Sequence, residues 1–298
     1  MLELDHFSYG WVTPVLAYIM SVIGSTLGLR CVAHARWSEH PGGWLVAGAV
    51  SLGGAGIWVM HFTAMLGFSI QGVTIRYDVP MTVLSAAIAI VVVWIGLSIV
   101  VRGRREVVAL PIGGAITGLG VAAMHYLGMY AMKITAHVEY QHKTVALSIV
   151  IAVVAATAAL WFMLHVRGLY ATIGAALIMG LAVCGMHYTG MFSMQAGHGE
   201  HHISDGGREP LQMVTPLIVT VTLVTMMLMV LVGLAEVDER STRDPHSTRR
   251  ESRTATSTSS WPTTDDVRPS DSTEDRPDWA LSSSSAAHRR RRSTPRQG

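Results

Sequence analysis

Charge is scarce along most of this sequence. Only 14% of its 298 residues are Asp, Glu, Lys or Arg, against 50% hydrophobic, and up to about residue 235 the few charges are confined to short breaks. That excludes an ordinary soluble domain of this size, whose surface needs charge. Cysteine is nearly missing. Cys31 and Cys184 are the only two, they belong to different helices near opposite membrane faces, and two thiols give no disulfide framework. A basic amino-terminal region is lacking too: MLELDHFSYGW carries Glu3 and Asp5 and neither Lys nor Arg, so it does not read as a cleaved secretory signal. A mature amino-terminus lying outside the cell is expected. The formal net charge of +2 averages two unlike halves and gives no ground for a nucleic-acid partner.

What is present is apolar length. Seven runs hold no Asp, Glu, Lys or Arg: Trp11–Leu29, Trp44–Ile70, Val79–Val101, Val107–Met132, Thr144–Val166, Leu169–Met194 and Leu211–Ala235. At a rise of ~1.5 Å per residue each crosses a hydrocarbon core of ~30 Å as a helix, and lipid leaves the backbone no alternative. The predicted fold is therefore an all-α membrane protein of seven transmembrane helices, spanning residues 1–237. Basic residues lean toward the breaks after odd-numbered helices (Arg30 and Arg36; Arg102, Arg104 and Arg105; Arg167; then Arg240 and Arg243). Those breaks are assigned to the cytoplasm, with the amino-terminus outside and the carboxy-terminus inside. Residues 238–298 are rich in Ser, Thr, Arg, Pro and Asp with few aliphatics, a composition expected to stay disordered. Its Arg289–Arg292 run suits either solvent or anionic lipid.

The ends of helices 2, 4 and 6 repeat one pattern: GIWVMHFTAMLGF, GVAAMHYLGMYAM and LAVCGMHYTGMFSM. Met-His-aromatic-x-small-Met sets Met60, His61 and Met65 in the first, Met124, His125 and Met129 in the second, and Met186, His187 and Met191 in the third. The histidines are 64 and 62 residues apart, one helical hairpin each, so the domain reads as three hairpin repeats plus a seventh helix. Residues four apart share a helix face, which stacks His61 with Met65, His125 with Met129 and His187 with Met191. Met132 and Met194 extend the stripe at the next heptad position, where Phe68 stands in the first unit. Counted from the start of each run, the histidines lie about 17 to 18 residues in, or ~26 Å along a helix, near the outer edge of the hydrocarbon. Gly54, Gly118, Gly128, Gly180 and Gly190 are expected to let these helices pack closely.

Three readings of the histidines compete. An imidazole can simply bridge helices while methionine fills gaps. Imidazole with soft thioether and no carboxylate suits copper, copper(I) above all; zinc seldom takes thioether, and magnesium and calcium want oxygen. Haem held by His and Met is the third, though three equivalent sites fit it less naturally. The metal reading assigns His61, Met65, His125, Met129, His187 and Met191 as ligands, with Met60, Met124 and Met186 as alternatives. Tyr126, Tyr188 and Thr189 are expected to orient the imidazoles through their second nitrogens.

With these motifs the chain resembles the MHYT domain family, bacterial seven-helix integral-membrane sensor modules; Met186-His187-Tyr188-Thr189 spells the name. The resemblance covers roughly residues 6 to 237. It implies copper held by the motif's Met and His residues, and sensing of oxygen, carbon monoxide or nitric oxide. The first unit departs from the pattern with Phe62 and Ala64, and the second with Leu127. Family members often continue into cyclic-diguanylate domains; none is legible after Leu234, so a signalling output is expected to pass to a cytoplasmic partner. No catalysis is expected. A copper carrier or membrane redox protein is the alternative use of the same ligands. Beyond the motifs, His137, His142, His198, His201 and His202 lie in outer breaks suited to collecting metal, while His34, His40 and His165 are assigned no role.

Overall fold

The computed structural model describes residues 4–5, 7–70, 74–134, 137–197 and 209–243. Seven helices follow in order: α1 Val12–Ala35, α2 Pro41–Met65, α3 Val79–Arg102, α4 Glu106–Tyr130, α5 His142–His165, α6 Leu169–Met191 and α7 Pro210–Arg243. Each contains a stretch long and apolar enough to cross a membrane. Outward-facing side chains such as Leu147, Val150 and Val154 on α5 and Leu223, Met226 and Val230 on α7 are large and apolar. A surface of that kind is stable against lipid, not water. The chain is a multi-pass membrane protein.

Short antiparallel ribbons close the hairpins, and no sequence pattern announces them. β1 (Leu4–Asp5) pairs with β2 (Ser69–Ile70), β3 (Arg76–Tyr77) with β4 (Met132–Lys133), and β5 (His137–Tyr140) with β6 (Met194–Gly197). The repeating unit is thus strand–helix–helix–strand. One hydrogen bond recurs in the same register in all three. Ser8 N–H donates to the Gly67 carbonyl at 2.9 Å, Asp78 N–H to Ala131 at 2.9 Å, and Gln141 N–H to Ser193 at 2.8 Å. Each acceptor lies six residues after its unit's histidine.

The ribbons correct the predicted helix ends. Helices 2, 4 and 6 stop at Met65, Tyr130 and Met191, not at Ile70, Met132 and Met194, because the following residues turn away to pair. Phe68, Met132 and Met194 consequently do not continue a helical stripe. They are buried in extended or turning backbone, in one apolar cluster with Met65, Met129 and Met191. At the other ends, α1 runs past Leu29 through Arg30 to Ala35, and α7 runs to Arg243. Of the tail read as disordered, 238–298, the first six residues are thus helical; 244–298 lie outside the described residues, as do the Arg289–Arg292 run and His198, His201 and His202.

The six repeat helices close into a ring. Tyr18 Oη on α1 donates to the Leu177 carbonyl on α6 at 3.2 Å, joining the third unit back to the first. Gly180 faces Tyr18 and Val22 there, and Gly118 on α4 lies against the Ala152–Val153 backbone of α5. Both glycines stand seven residues before their histidine. In α2 the corresponding approach, to the backbone of Ala89 and Ile90 on α3, falls instead at Gly53, eight before His61. Val50–Val59 winds as a π-helix, whose wider turn takes up the additional residue. Gly54, expected at this contact, meets only side chains of Val221 and Ile90 at ordinary distance. The surplus residue restores the register, so His61 still points inward.

Candidate metal centre

His61, His125 and His187 come from α2, α4 and α6, four or five residues before each helix ends. All three are buried, at 1%, 0% and 1% exposure, and meet on the axis of the ring. Their ring centroids are 4.9, 5.0 and 5.1 Å apart, with planes crossing at 73°, 79° and 85°, a near-equilateral propeller. Nδ1 of His61 lies 3.0 Å from Nδ1 of His187 and 3.1 Å from Nδ1 of His125. Among the described residues this is the one group of three or more His, Cys, Asp or Glu side chains placed together so as to hold an ion.

Hydrogen bonding alone does not satisfy this arrangement. A ring nitrogen offers one in-plane site, either an N–H or a lone pair. Three Nδ1 atoms share two states, so at least one of their three pairs must be lone pair with lone pair or hydrogen with hydrogen. A cation among the three resolves the conflict, because every Nδ1 then directs a lone pair at it. Nitrogens bonded at ~2.0 Å to one ion stand roughly 3.3–3.5 Å apart. The observed 3.0 and 3.1 Å are within a few tenths of that, a distance side-chain motion covers. Three imidazoles fit a soft or borderline metal, and Met65, Met129 and Met191, each one helical turn on from a histidine, are buried as well.

The backing of the imidazoles differs from the expectation. Tyr126 Oη bonds Ser148 Oγ at 2.5 Å, Thr189 Oγ1 donates to the Gly185 carbonyl of its own helix at 2.7 Å, and the Tyr188 ring packs on Phe7 with its hydroxyl unpartnered. None of the three reaches an imidazole nitrogen by hydrogen bond. Side chains one or two positions along a helix from a histidine project around the barrel, toward the neighbouring hairpin.

Glycine takes that place, from the next unit. A Cβ on Gly128 would fall on Nε2 of His61, and one on Gly190 would fall on Nε2 of His125. These two nitrogens are buried without hydrogen-bond partners. Gly128 and Gly190 thus make room for a ring, not for a helix. The signal was in the sequence, as the small residue three after each histidine, but which helix that residue faced was not. In the first unit Ala64 fills this position and joins Met60, Ala17 and Cys184 in a small buried contact. Cys31 and Cys184 are both free thiols in separate clusters.

The fold and site define a class: a seven-helix membrane domain of three hairpin repeats, each supplying one histidine to a buried axial cluster. Residues 54–113 and 118–176 match the family model MHYT, described as a bacterial signalling protein N-terminal repeat. The domain is an MHYT domain; the second matched segment runs into the third unit, whose motif, Met186-His187-Tyr188-Thr189, lies beyond it. The chain is 35% identical over 195 residues to the bifunctional diguanylate cyclase/cyclic di-GMP phosphodiesterase MucR of Pseudomonas aeruginosa, covering 63% of this chain and 28% of that protein. It is 35% identical over 198 residues to the cyclic di-GMP phosphodiesterase NbdA of the same organism (64% and 25%) and 28% identical over 157 residues to the signalling protein YkoW of Bacillus subtilis (50% and 19%). The match therefore spans about a quarter of the length of the first two relatives. No solved structure matches the chain.

Proposed function

We propose that this domain is a copper-binding sensor in the plasma membrane, responding to a diatomic gas or to redox state. The observation that carries the proposal is the convergence of three buried Nδ1 atoms that hydrogen bonding cannot satisfy together. His61, His125 and His187 hold the metal, with Met65, Met129 and Met191 as the thioether ligands. These methionines share a buried cluster with Met132 and Met194 at the ribbon end, whereas Met60 is turned to Ala17, Ala64 and Cys184. That makes Met60 the weakest alternative; Met124 and Met186 lie in the larger cluster too, and rank behind Met129 and Met191 only because they do not share the histidine's helix face.

Bound copper in its reduced form supplies affinity for oxygen, carbon monoxide or nitric oxide. The chain's own part is to hold the three imidazoles on one axis, exclude water and leave a small molecule room. An apolar cavity of about 40 Å³ lies among α2 to α6, lined by Val121, Ala152, Ala156, Met179, Val183 and Met186. Its hydroxyl, Thr117, already donates to the Val92 carbonyl at 3.4 Å. A water needs two or more polar partners, so such a cavity stays dry and suits a gas. The same apolar lining argues against a copper carrier, which needs ligands leading onward through the membrane.

Arg36, Arg102, Arg104, Arg105 and Arg167 gather at the helix ends opposite the histidines, which supports a cytoplasmic assignment for that face and an outer-leaflet position for the metal. In the reading proposed here the domain is sensory, not catalytic, and signals in trans to a cytoplasmic partner. The enzymatic names of MucR and NbdA suggest cyclic di-GMP turnover as the process it serves.

The test is copper content after loading under reducing conditions, for the purified protein and for His61→Ala, His125→Ala and His187→Ala. Wild type should hold copper, and each single variant should lose affinity. Carbon monoxide should then shift the copper(I) spectrum. No copper in wild type, or full affinity in all three variants, overturns the proposal.

A further inference from the structure

The three repeats meet at their other end as well, and there the residue they bring together is arginine. Arg36 follows α1, Arg104 lies between α3 and α4, and Arg167 lies between α5 and α6, so each hairpin turn contributes one. All three line one open cavity of about 610 Å³ at the face opposite the histidine cluster. Arg36 Nη1 donates to the Leu164 carbonyl, which anchors it at the end of α5. Arg104 and Arg167 have neither a hydrogen bond nor an ion pair among the described residues. Glu106, the cavity's carboxylate, stands 3.3 Å from His165 Nε2 and is ion-paired to none of the three arginines. Glu106 is also the first residue of α4, which starts without a side-chain cap and so adds the positive end of a helix to the same opening.

Solvation or compensation of helix carboxy-termini accounts for single arginines at such ends. It does not account for guanidiniums of three repeats around one cavity that holds a single carboxylate, Glu106. The guanidinium fork matches phosphate oxygens, and basic pockets between membrane helices take phosphate headgroups. We infer that this cavity binds a phosphate-bearing anion at the membrane surface, held by Arg36, Arg104 and Arg167. Two sources share that chemistry: the headgroup of an anionic phospholipid, or a soluble phosphate compound. Either would tie the three hairpin turns together at the end opposite the metal centre.

The test uses the full chain in lipid nanodiscs. In one arm, phosphatidylglycerol and phosphatidylcholine are supplied equally, and the lipid that stays with the protein is measured by native mass spectrometry. In the other, pyrophosphate is titrated calorimetrically into discs of phosphatidylcholine alone. Retention of phosphatidylglycerol identifies a lipid site, and saturable pyrophosphate binding identifies a soluble ligand. The active arm should fall about tenfold or more in Arg104→Gln/Arg167→Gln, because two charge-assisted contacts are lost. It should persist in Arg102→Gln/Arg105→Gln, which removes the same charge from neighbouring positions outside the cavity. Binding in neither arm overturns the inference. So does full binding by the Arg104/Arg167 variant, and so does an equal loss in both double variants, which would reduce the effect to general surface charge.

Discussion

Gly128→Ala is the most direct probe of how the histidines are held. It adds one methyl whose carbon would fall on Nε2 of His61, and 3.1 and 3.4 Å from Cδ2 and Cε1 of the same ring. Non-bonded carbons settle about 3.5–4.0 Å apart, so the ring must withdraw by roughly 1 Å or α4 must back away. The ring has no free direction, since Nδ1 already stands 3.0 and 3.1 Å from the other two imidazoles. Overpacking of this kind costs about 1–3 kcal/mol, which lowers the thermal midpoint by roughly 2–4 °C per kcal/mol in a domain of this size. Metal affinity should fall further, by about 10–100-fold, because a displacement of ~1 Å exceeds what coordination distances tolerate. Thermal unfolding in detergent and competition with a copper(I) chelator measure the two quantities. Gly185→Ala on α6 is the control: nothing lies within 4 Å of its added carbon, and both quantities should stay at wild type. Wild-type values for both in Gly128→Ala would refute the steric reasoning. Lost stability with unchanged copper affinity would show that the glycine serves helix packing and not the imidazole.

Gly53→Ala should destabilise the domain while Gly54→Ala is tolerated. The first carbon would stand 2.7 Å from the Ala89 carbonyl oxygen and the second 3.5 Å from Val221 Cγ1, and comparison of their thermal midpoints checks the shifted register of α2. Asp78 should make the second ribbon acid-sensitive. The Met81 N–H, and after it Lys133 at 3.1 Å, hold its carboxyl below the ordinary range. A carboxyl depressed in the folded state stabilises fully above its unfolded pKa of ~3.9, and that contribution is lost as pH falls through the folded value. The thermal midpoint should therefore decline across the acid range, less steeply in Asp78→Asn. An identical slope in the two proteins would exclude the carboxylate as its source.

Helix number, order and repeat were legible because each has a long or repeated signature. The apolar runs exceed the bilayer thickness, and the recurring Met-His pattern fixes both the period and the inward face. The histidine cluster followed from the shared depth of His61, His125 and His187. What escaped the sequence was set between units. A ribbon as short as Leu4–Asp5 with Ser69–Ile70 has no periodicity to read, so Met132 and Met194 looked like more helix. The π-helical register of α2 leaves no composition mark, and Gly54 was read at the position where Gly53 makes the contact. Tyr126, Tyr188 and Thr189 sit beside histidines along the chain, but their hydroxyls do not reach the imidazole nitrogens.

That last difference bears on how three unequal motifs can build one site. If each histidine were oriented by its own tyrosine and threonine, Phe62 and Leu127 would leave His61 and His125 poorly set. Instead His61 rests on Gly128 of the second unit and His125 on Gly190 of the third. The aromatic position faces the neighbouring hairpin, whereas Gly128 and Gly190 at the small position bound a ring. It follows that neither the first nor the second unit holds its histidine alone and that two units cannot close the arrangement. The third hairpin, whose motif lies beyond the segments matched by the family model, supplies both His187 and the surface on which His125 is placed. A substitution at Gly190 should therefore be felt at a histidine sixty-five residues earlier in the chain, and the Tyr188 hydroxyl on the same helix should be dispensable to it.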